Sequence, residues 1–150
     1  MDISPGALLN SINDFCILYF KDLNHDKDAP CHFYVAFPIK DDLSLIICIL
    51  TSQVEAQKGY YKRTNPKAVK CLIEIDRNIL SFLNKETIID CNKAELLSKE
   101  ELKKRIDPDH PCEIKERKVP SYLKREIGSA IIQSPLISAH IKKLIKSKSL

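Results

Sequence analysis

The sequence lacks the residue patterns by which many nucleotide-binding and catalytic sites are identified. It contains only three glycines, so a glycine-rich loop that cradles a phosphate is not expected. No Walker loop, GxGxxG or GxSxG motif is present. No HExxH motif or comparable spacing of metal ligands occurs either. Any functional site must therefore come from side chains that the fold brings together.

Long apolar runs and paired cysteine motifs are also missing. The longest apolar run, residues 43–50, is much shorter than a membrane-spanning helix, so we expect no membrane attachment. The six cysteines form no CxxC pair, and Cys48, Cys71 and Cys91 lie in or beside apolar runs, where free thiols behave as small hydrophobes. No charged leader, apolar segment and cleavage site open the sequence. These features predict a cytoplasmic protein with unpaired thiols.

The composition is typical of an ordinary globular domain. The chain has 150 residues, 44% of them hydrophobic and 29% charged, which predicts a single domain over residues 1–150. Its net charge of +4 is too small to indicate a nucleic-acid-binding protein by itself. Basic residues are concentrated in residues 58–70, a segment without acidic residues.

The clearest predicted structure is a β-hairpin at residues 31–52. Residues 32–39 are rich in aromatic and branched side chains, and residues 43–50 are apolar enough to form a strand buried on both faces. Pro38 and the Lys-Asp-Asp sequence that follows Ile39 mark the turn between them.

Periodicity and capping signals predict the remaining elements. Apolar residues three and four apart predict a helix over residues 5–22, and residues 53–66 are predicted to form a long polar loop. Ser98 and Glu101 form a capping box. The other predicted elements are strands at 68–75 and 86–92, a helix ending at 106, an edge strand at 112–118, and helices ending at 134 and 146. This order indicates an α+β protein with a mainly antiparallel sheet.

Polar residues stand at the open end of the predicted hairpin. His32 begins its first strand, and Thr51 and Ser52 follow its second, so antiparallel pairing should bring them together. An imidazole beside hydroxyls is a plausible acid–base pair. In the alternative interpretation, Thr51 and Ser52 only satisfy backbone groups at the strand end, and His32 is a half-exposed strand residue.

Two further groups of residues are candidates. Asp90 and Asn92 share one face of a predicted strand, where they could line a site or form the solvent face of an edge strand. Residues 58–67 interleave aromatics with cations, a pattern that suits single-stranded nucleic acid but equally a solvated loop. The candidate RNA-binding residues are Lys58, Tyr60, Tyr61, Lys62, Arg63 and Lys67.

The sequence HFYVAFPI…LSLIICILTSQ is similar to the first hairpin of MazF/PemK-type (Kid-type) toxins, whose second strand ends in an apolar-Thr-Ser step. ETIIDCNKAELLSKEELKKRI resembles a later strand, the segment after it and a short helix of that family. The resemblance covers residues 31–132, and the C-terminal helical region resembles the family's closing helix. It implies an SH3-like antiparallel β-barrel over residues 31–118, with an N-terminal helix in residues 1–24 and C-terminal helices in residues 119–148.

The resemblance also implies a function. Many members of the family are metal-independent endoribonucleases of toxin–antitoxin systems, which cleave single-stranded RNA through the ribose 2′-hydroxyl. It implies no metal and no cofactor, a homodimer and an antitoxin partner. Thr51 matches the family's threonine, and we expect His32, Thr51 and Ser52 to act in catalysis. Asp90 and Asn92 would position the substrate.

The chain departs from the family pattern at two places. Family enzymes usually carry an arginine just before the first hairpin strand, where this sequence has Cys31 and His32. Asp90-Cys91-Asn92 stands where PemK-like members often have Arg-Cys-Asp. These departures favour a second hypothesis, a catalytically inactive interaction module that binds a protein partner in a toxin–antitoxin or defence complex.

Overall fold

Seven strands and five helices make up the described chain, which in this computed structural model covers residues 3–39 and 42–148. The strands are β1 (Cys16–Phe20), β2 (His32–Pro38), β3 (Ser44–Thr51), β4 (Leu72–Ile75), β5 (Thr87–Asp90), β6 (Glu95–Ser98) and β7 (Glu113–Glu116). The helices are α1 (Pro5–Asn10), α2 (Val54–Thr64), α3 (Lys99–Arg105), α4 (Ser121–Gln133) and α5 (Ala139–Ser147). Short 3₁₀ helices lie at Pro66–Cys71 and Cys91–Lys93. The α+β class is confirmed.

All strands belong to one antiparallel sheet of seven strands. Its order is β4-β5-β3-β2-β1-β7, and β6 pairs with β3 beside that path. Strand β3 therefore pairs with β6 along its first half and with β5 at its end. Within the described residues the path is open, with β4 at one end and β7 at the other.

The predicted hairpin is confirmed as the centre of the sheet. Strands β2 and β3 pair from Pro38–Leu45 to Tyr34–Ile49. One face carries Val35 and Phe37 in a core shared with α4, and the other carries Ala36 in a core shared with α1 and α3. The hairpin is buried on both faces because helices cover both sides of the sheet.

The prediction of a helix over residues 5–22 is wrong beyond α1. The chain leaves the helix after Asn10 and enters β1, which lies between β2 and β7. Residues 15–18 are all buried, as expected for a central strand covered on both sides. A short continuous apolar run contains residues at helical spacing by chance, and here tertiary pairing decided the structure.

The predicted polar loop at residues 53–66 is also wrong, because most of it forms α2. The sequence of α2 contains glutamate, alanine, glutamine, lysine and arginine, which all favour helix. Its only buried residue is Tyr61, so the segment shows almost no apolar periodicity. A helix with one buried side chain resembles a loop in a hydrophobicity pattern.

Several local predictions are confirmed. The capping box of α3 is present, with the backbone N–H of Glu101 donating to Ser98 Oγ and that of Ser98 donating to Glu101 Oε1, both at 3.0 Å. The edge strand appears as β7, which pairs only with β1 among the described strands. The six cysteines are free.

In the part of the chain that the structure describes, no helix has the length and apolar character needed to cross a membrane.

Candidate functional site

At the open end of the hairpin, the pairing of β2 with β3 stops at Tyr34–Ile49, before it reaches His32 and Thr51. Beyond Tyr34–Ile49 the two strands continue with different neighbours, because His32 pairs with Phe20 of β1 while Thr51 pairs with Ile88 of β5. The Thr51 hydroxyl accepts a hydrogen bond of 3.1 Å from the backbone N–H of Gln53. The hydroxyl therefore satisfies a backbone donor at the strand end, as in the alternative interpretation of Thr51 given by the sequence. Ser52 is exposed.

The Asp90 carboxylate is fully buried and holds α2 against the sheet. Its Oδ2 accepts from the Tyr61 hydroxyl and from Gln57 Nε2, both at 2.8 Å. Its Oδ1 accepts from the backbone N–H of Asn92 at 3.1 Å. Burial and the bond to Asp90 raise the pKa of Tyr61, so its hydroxyl stays a donor. The interpretation of Asp90 as part of a solvent face is wrong.

Asn92 belongs to the same buried network, which we call the Asp90–Asn92 network. It does not share a strand face with Asp90, because the strand ends at Asp90 and Asn92 lies in a 3₁₀ turn. Its Nδ2 donates to the Ala68 carbonyl at 2.8 Å, and its Oδ1 accepts from the Ser134 hydroxyl at 2.7 Å. The network thus ties four chain segments together.

The Asp90–Asn92 network gives a stability prediction. Asp90→Ala should lower the free energy of unfolding by about 2–3 kcal/mol, because the buried Tyr61 hydroxyl and Gln57 amide lose their acceptor. Urea unfolding followed by circular dichroism measures this change. Asp28→Ala is the matched control, since Asp28 is exposed. Equal stability of the two variants would contradict a structural role for Asp90.

The predicted RNA-binding residues lie on and after α2, with mixed exposure. Tyr61 points into the core and is not available to a ligand, which corrects its prediction. Lys58 is ion-paired with Glu74. The remaining candidates are all exposed: Tyr60, Lys62, Arg63 and Lys67. Of the predicted RNA-binding residues, one aromatic ring and three cations are therefore exposed to solvent.

A cleft of about 380 Å³ brings together charged and aromatic residues that the sequence did not associate. Asp22 and His25 enter it from the segment between β1 and β2, and Tyr34 enters from β2. Glu95 comes from β6 and Arg105 from the last turn of α3. Its other walls are largely apolar and include residues of β3 and α5. Of the predicted catalytic residues, only Asn92 lines this cleft.

Arg105 is the charged centre of the cleft. Its Nε donates to Asp22 Oδ1 at 3.2 Å, its Nη2 also bonds to Asp22, and its Nη1 donates to Glu95 Oε2 at 3.0 Å. Burial acts to raise the pKa of Asp22, but the hydrogen bonds from Arg105 and the backbone N–H of Asn24 outweigh it and lower the pKa. The bonds to Asp22 raise the pKa of Arg105. Both groups are therefore charged at neutral pH.

Two histidines and a tyrosine lie beside this ion pair. His25 Nε2 is 3.9 Å from Asp22 Oδ2, and its ring meets that of His32 edge-on with centroids 5.3 Å apart. Burial, followed by the nearby His25, lowers the pKa of His32. Burial and then Asp22 raise the pKa of Tyr34, so its hydroxyl stays protonated. Among the described residues, His32 Nδ1 and the Tyr34 hydroxyl are buried without a hydrogen-bond partner.

The chemistry available in the cleft is proton transfer and binding of an anion or a polar group. His25 is partly exposed and can accept or donate a proton, while Arg105 and Lys93 supply positive charge. Within residues 3–39 and 42–148, no three histidine, cysteine or carboxylate side chains are placed to hold a metal ion.

The cleft could not be identified from the sequence because its residues are far apart along the chain. Asp22 and Arg105 are separated by 83 positions, and no pattern in one sequence pairs them. The local signal was Lys21-Asp22, two charged residues at the end of a buried apolar run. If that run is read as a helix, Lys21 and Asp22 look ordinary, because charged residues are common at helix ends.

No family model matches the chain, and no curated protein matches it. Function is therefore argued from the cleft and the exposed face of α2.

Proposed function

We propose that the chain is a MazF/PemK-like endoribonuclease that cleaves single-stranded RNA without a metal ion, with the Asp22–Arg105 cleft as its active site. One observation carries this proposal: a partly exposed imidazole, His25, lies beside a fixed guanidinium–carboxylate pair in a cleft. These are the groups that RNA transphosphorylation uses. The proposed fold is an SH3-like barrel opened between β4 and β7.

In the proposed reaction His25 acts as the general base. It takes the proton of the ribose 2′-hydroxyl, and the 2′ oxygen attacks the adjacent phosphorus as the bond to the 5′ oxygen breaks. Water protonates the departing oxygen, so the products carry a 2′,3′-cyclic phosphate and a 5′-hydroxyl. Lys93 and Arg105 stabilise the charge that develops on the phosphate oxygens. His25 thus takes the role that the sequence suggested for His32.

The exposed cations after β3 would hold the rest of the strand. Lys62, Arg63 and Lys67 are exposed on or just after α2, and Tyr60 offers a ring on which a base can stack. Phosphate contacts of this kind make affinity fall as salt is raised. A homodimer and an antitoxin partner belong to the same proposal, as the family resemblance implies.

A second candidate function is a catalytically inactive module that binds a protein partner. The observation that favours it is the double pairing of Arg105, whose guanidinium is bonded to both Asp22 and Glu95. A guanidinium neutralised by two carboxylates attracts a phosphate less strongly than a free one.

The deciding experiment is incubation of the full chain with mixed single-stranded RNA in EDTA, followed by mapping of the ends. We expect cleavage that leaves 2′,3′-cyclic phosphate and 5′-hydroxyl termini. A preparation with heat-inactivated protein is the control for contaminating nucleases. Intact RNA after long incubation would rule out the endoribonuclease and leave the protein-binding module.

A further inference from the structure

Helix α5 carries positive charge that no acidic side chain compensates. No aspartate or glutamate occurs in residues 127–150. Lys142 is partly exposed and Lys146 is exposed, and neither has an ion-pair partner within residues 3–39 and 42–148. The apolar side of the helix packs into the core, where Ile145 is 3% exposed. The surface that α5 leaves to solvent is therefore basic.

The 3₁₀ helix Pro66–Cys71 places a second basic segment beside α5. Lys67 and Lys70 are exposed on it, and neither has an ion-pair partner among the described residues. Burial raises the pKa of the Cys71 thiol, whereas the positive charges of Lys142 and Lys70 act to lower it. A charge shifts a thiol's pKa only when it lies nearby, so both lysines are close to Cys71.

Asn92 joins these two segments to the cleft. Its Nδ2 donates to the Ala68 carbonyl at 2.8 Å, and its Oδ1 accepts from the Ser134 hydroxyl, in the connection to α5, at 2.7 Å. Asn92 and the exposed Lys93 line the cleft, and so does Ser138 at the start of α5. The cations therefore extend from the cleft over both basic segments. This set, which we call the basic strip, consists of Lys67, Lys70, Lys93, Lys142 and Lys146.

We propose that the basic strip binds the sugar–phosphate backbone of single-stranded RNA outside the cleft, so that a strand held in the cleft continues along α5. The assignment rests on the proposed ribonuclease function for its polymer. Lysine ammonium groups bind phosphates as point charges, and RNA offers one phosphate per nucleotide. The exposed ring of Tyr60 on the preceding helix α2 suits a base better than it suits an acidic peptide.

The packing of α5 argues against a membrane as the partner. A helix that binds a bilayer surface inserts its apolar side between the lipids. In α5 that side includes Ile145, which is buried, and Ile141, which packs against the same core. Only the charged side remains for a partner.

Two acidic side chains limit the basic strip. Glu74 and Glu126 line one groove together with Lys70. Glu74 is ion-paired with Lys58, and no ion pair holds Glu126 among the described residues. Carboxylates repel phosphates, so we expect the RNA strand to pass Lys70 on the side of α5 and not to enter that groove.

Replacing the two lysines of α5 tests the basic strip. Lys142→Gln combined with Lys146→Gln removes two charges and keeps good helix formers. Each phosphate contact of a single strand contributes about 0.7 to the slope of log affinity against log salt, so we expect this slope to fall by about 1.4 and binding at about 0.1 M salt to weaken about 25-fold. The probe is labelled 2′-O-methyl RNA of about twelve nucleotides, which cannot be cleaved through a 2′-hydroxyl, and fluorescence anisotropy in EDTA measures its binding.

The matched control is Lys99→Gln combined with Lys103→Gln. These lysines are also four positions apart on a helix, one partly exposed and one exposed, and α3 packs on the other face of the sheet. The control removes the same charge, so it should keep nearly normal affinity and salt slope. Equal loss in the two variants would mean that RNA responds to net charge alone and would overturn the basic strip. Unchanged affinity in the α5 variant, or no binding of RNA by the unchanged protein, would overturn it too.

Two other polyanions test whether the partner is a nucleic acid. Polyglutamate and phosphatidylserine vesicles carry negative charge without a sugar–phosphate backbone of RNA. We expect both to bind more weakly than the 2′-O-methyl RNA. Polyglutamate or vesicle binding that matches RNA binding and depends on Lys142 and Lys146 would overturn the assignment to RNA.

The ribonuclease and the basic strip fail in distinguishable ways. Binding of 2′-O-methyl RNA that depends on Lys142 and Lys146, by a protein that leaves unmodified RNA intact, would overturn the ribonuclease and keep the basic strip. Cleavage of long RNA with an unchanged KM in the α5 variant would keep the ribonuclease and overturn the basic strip.

Discussion

His25→Ala should lower the rate of RNA cleavage by about two to four orders of magnitude, the usual contribution of a general base. His25 is the histidine that lines the cleft, and Asp22 Oδ2 lies 3.9 Å from its Nε2. The side chain is partly exposed, so its removal should change the thermal midpoint little. Initial rates in EDTA and a thermal unfolding curve of the same preparation measure the two effects.

The controls for His25 come from the other histidines. His140→Ala should cleave RNA at the normal rate, because His140 is exposed on α5. His32→Ala should act only through the packing of His25 and therefore cause a smaller loss. Full loss of cleavage in His32→Ala with normal cleavage in His25→Ala would return the base to His32, as the sequence first suggested.

Asp22→Ala should lower the free energy of unfolding by about 3–5 kcal/mol, the cost of breaking a buried ion pair by removing one partner. The Asp22 side chain is fully buried, and the Arg105 side chain is 14% exposed. Arg105 would keep only Glu95, a partly exposed partner. Urea unfolding at neutral pH measures the change. A loss of stability as small as that of the exposed-site variant Asp28→Ala would contradict the stabilising role of the Asp22–Arg105 ion pair.

A double replacement makes that test sharper. Asp22→Ala and Arg105→Ala each remove the hydrogen bonds between these two side chains, so the two changes made together should cost less than their sum. Additive effects would mean that the two side chains do not stabilise one another.

The same pair gives a pH dependence with a definite sign. The pKa of Asp22 lies below its ordinary value of 3.8, so the unfolded chain takes up a proton more readily than the folded one. The stabilisation is complete above the unfolded pKa and is lost as pH falls through the lower, folded pKa. Between neutral pH and strong acid, Asp22→Ala should therefore lose less stability than the unchanged protein.

Local sequence signals predicted the parts of the fold that local physics decides. The hairpin followed from an apolar run with turn residues before it, and the capping box followed from Ser98 and Glu101. Strand β1 could not be predicted in this way, because its apolar run is compatible both with a helix and with a strand buried between two others. Its pairing with β7, almost a hundred residues away, decided the outcome.

The candidate site was less predictable than the fold. Asp90 and Asn92 were recognised as unusual polar residues beside an apolar run, but the sequence could not show that Tyr61, Ala68 and Ser134 would use up their hydrogen bonds. Thr51 was found at its predicted strand end with the role of the structural alternative. Residue type identifies a polar group, whereas only the fold identifies its partner.

The distance along the chain between Asp22 and Arg105 also bears on when the cleft can form. A growing chain carries Asp22 for 83 residues before its partner is made, and β1 waits still longer for β7. The hairpin of β2 and β3 can close locally in that interval, whereas contacts of long sequence separation form more slowly. A chain shortened before residue 105 would lack the guanidinium, strand β7 and the helices α4 and α5, which cover one face of the sheet. The cleft is therefore available only to chains synthesised well past the sheet centre.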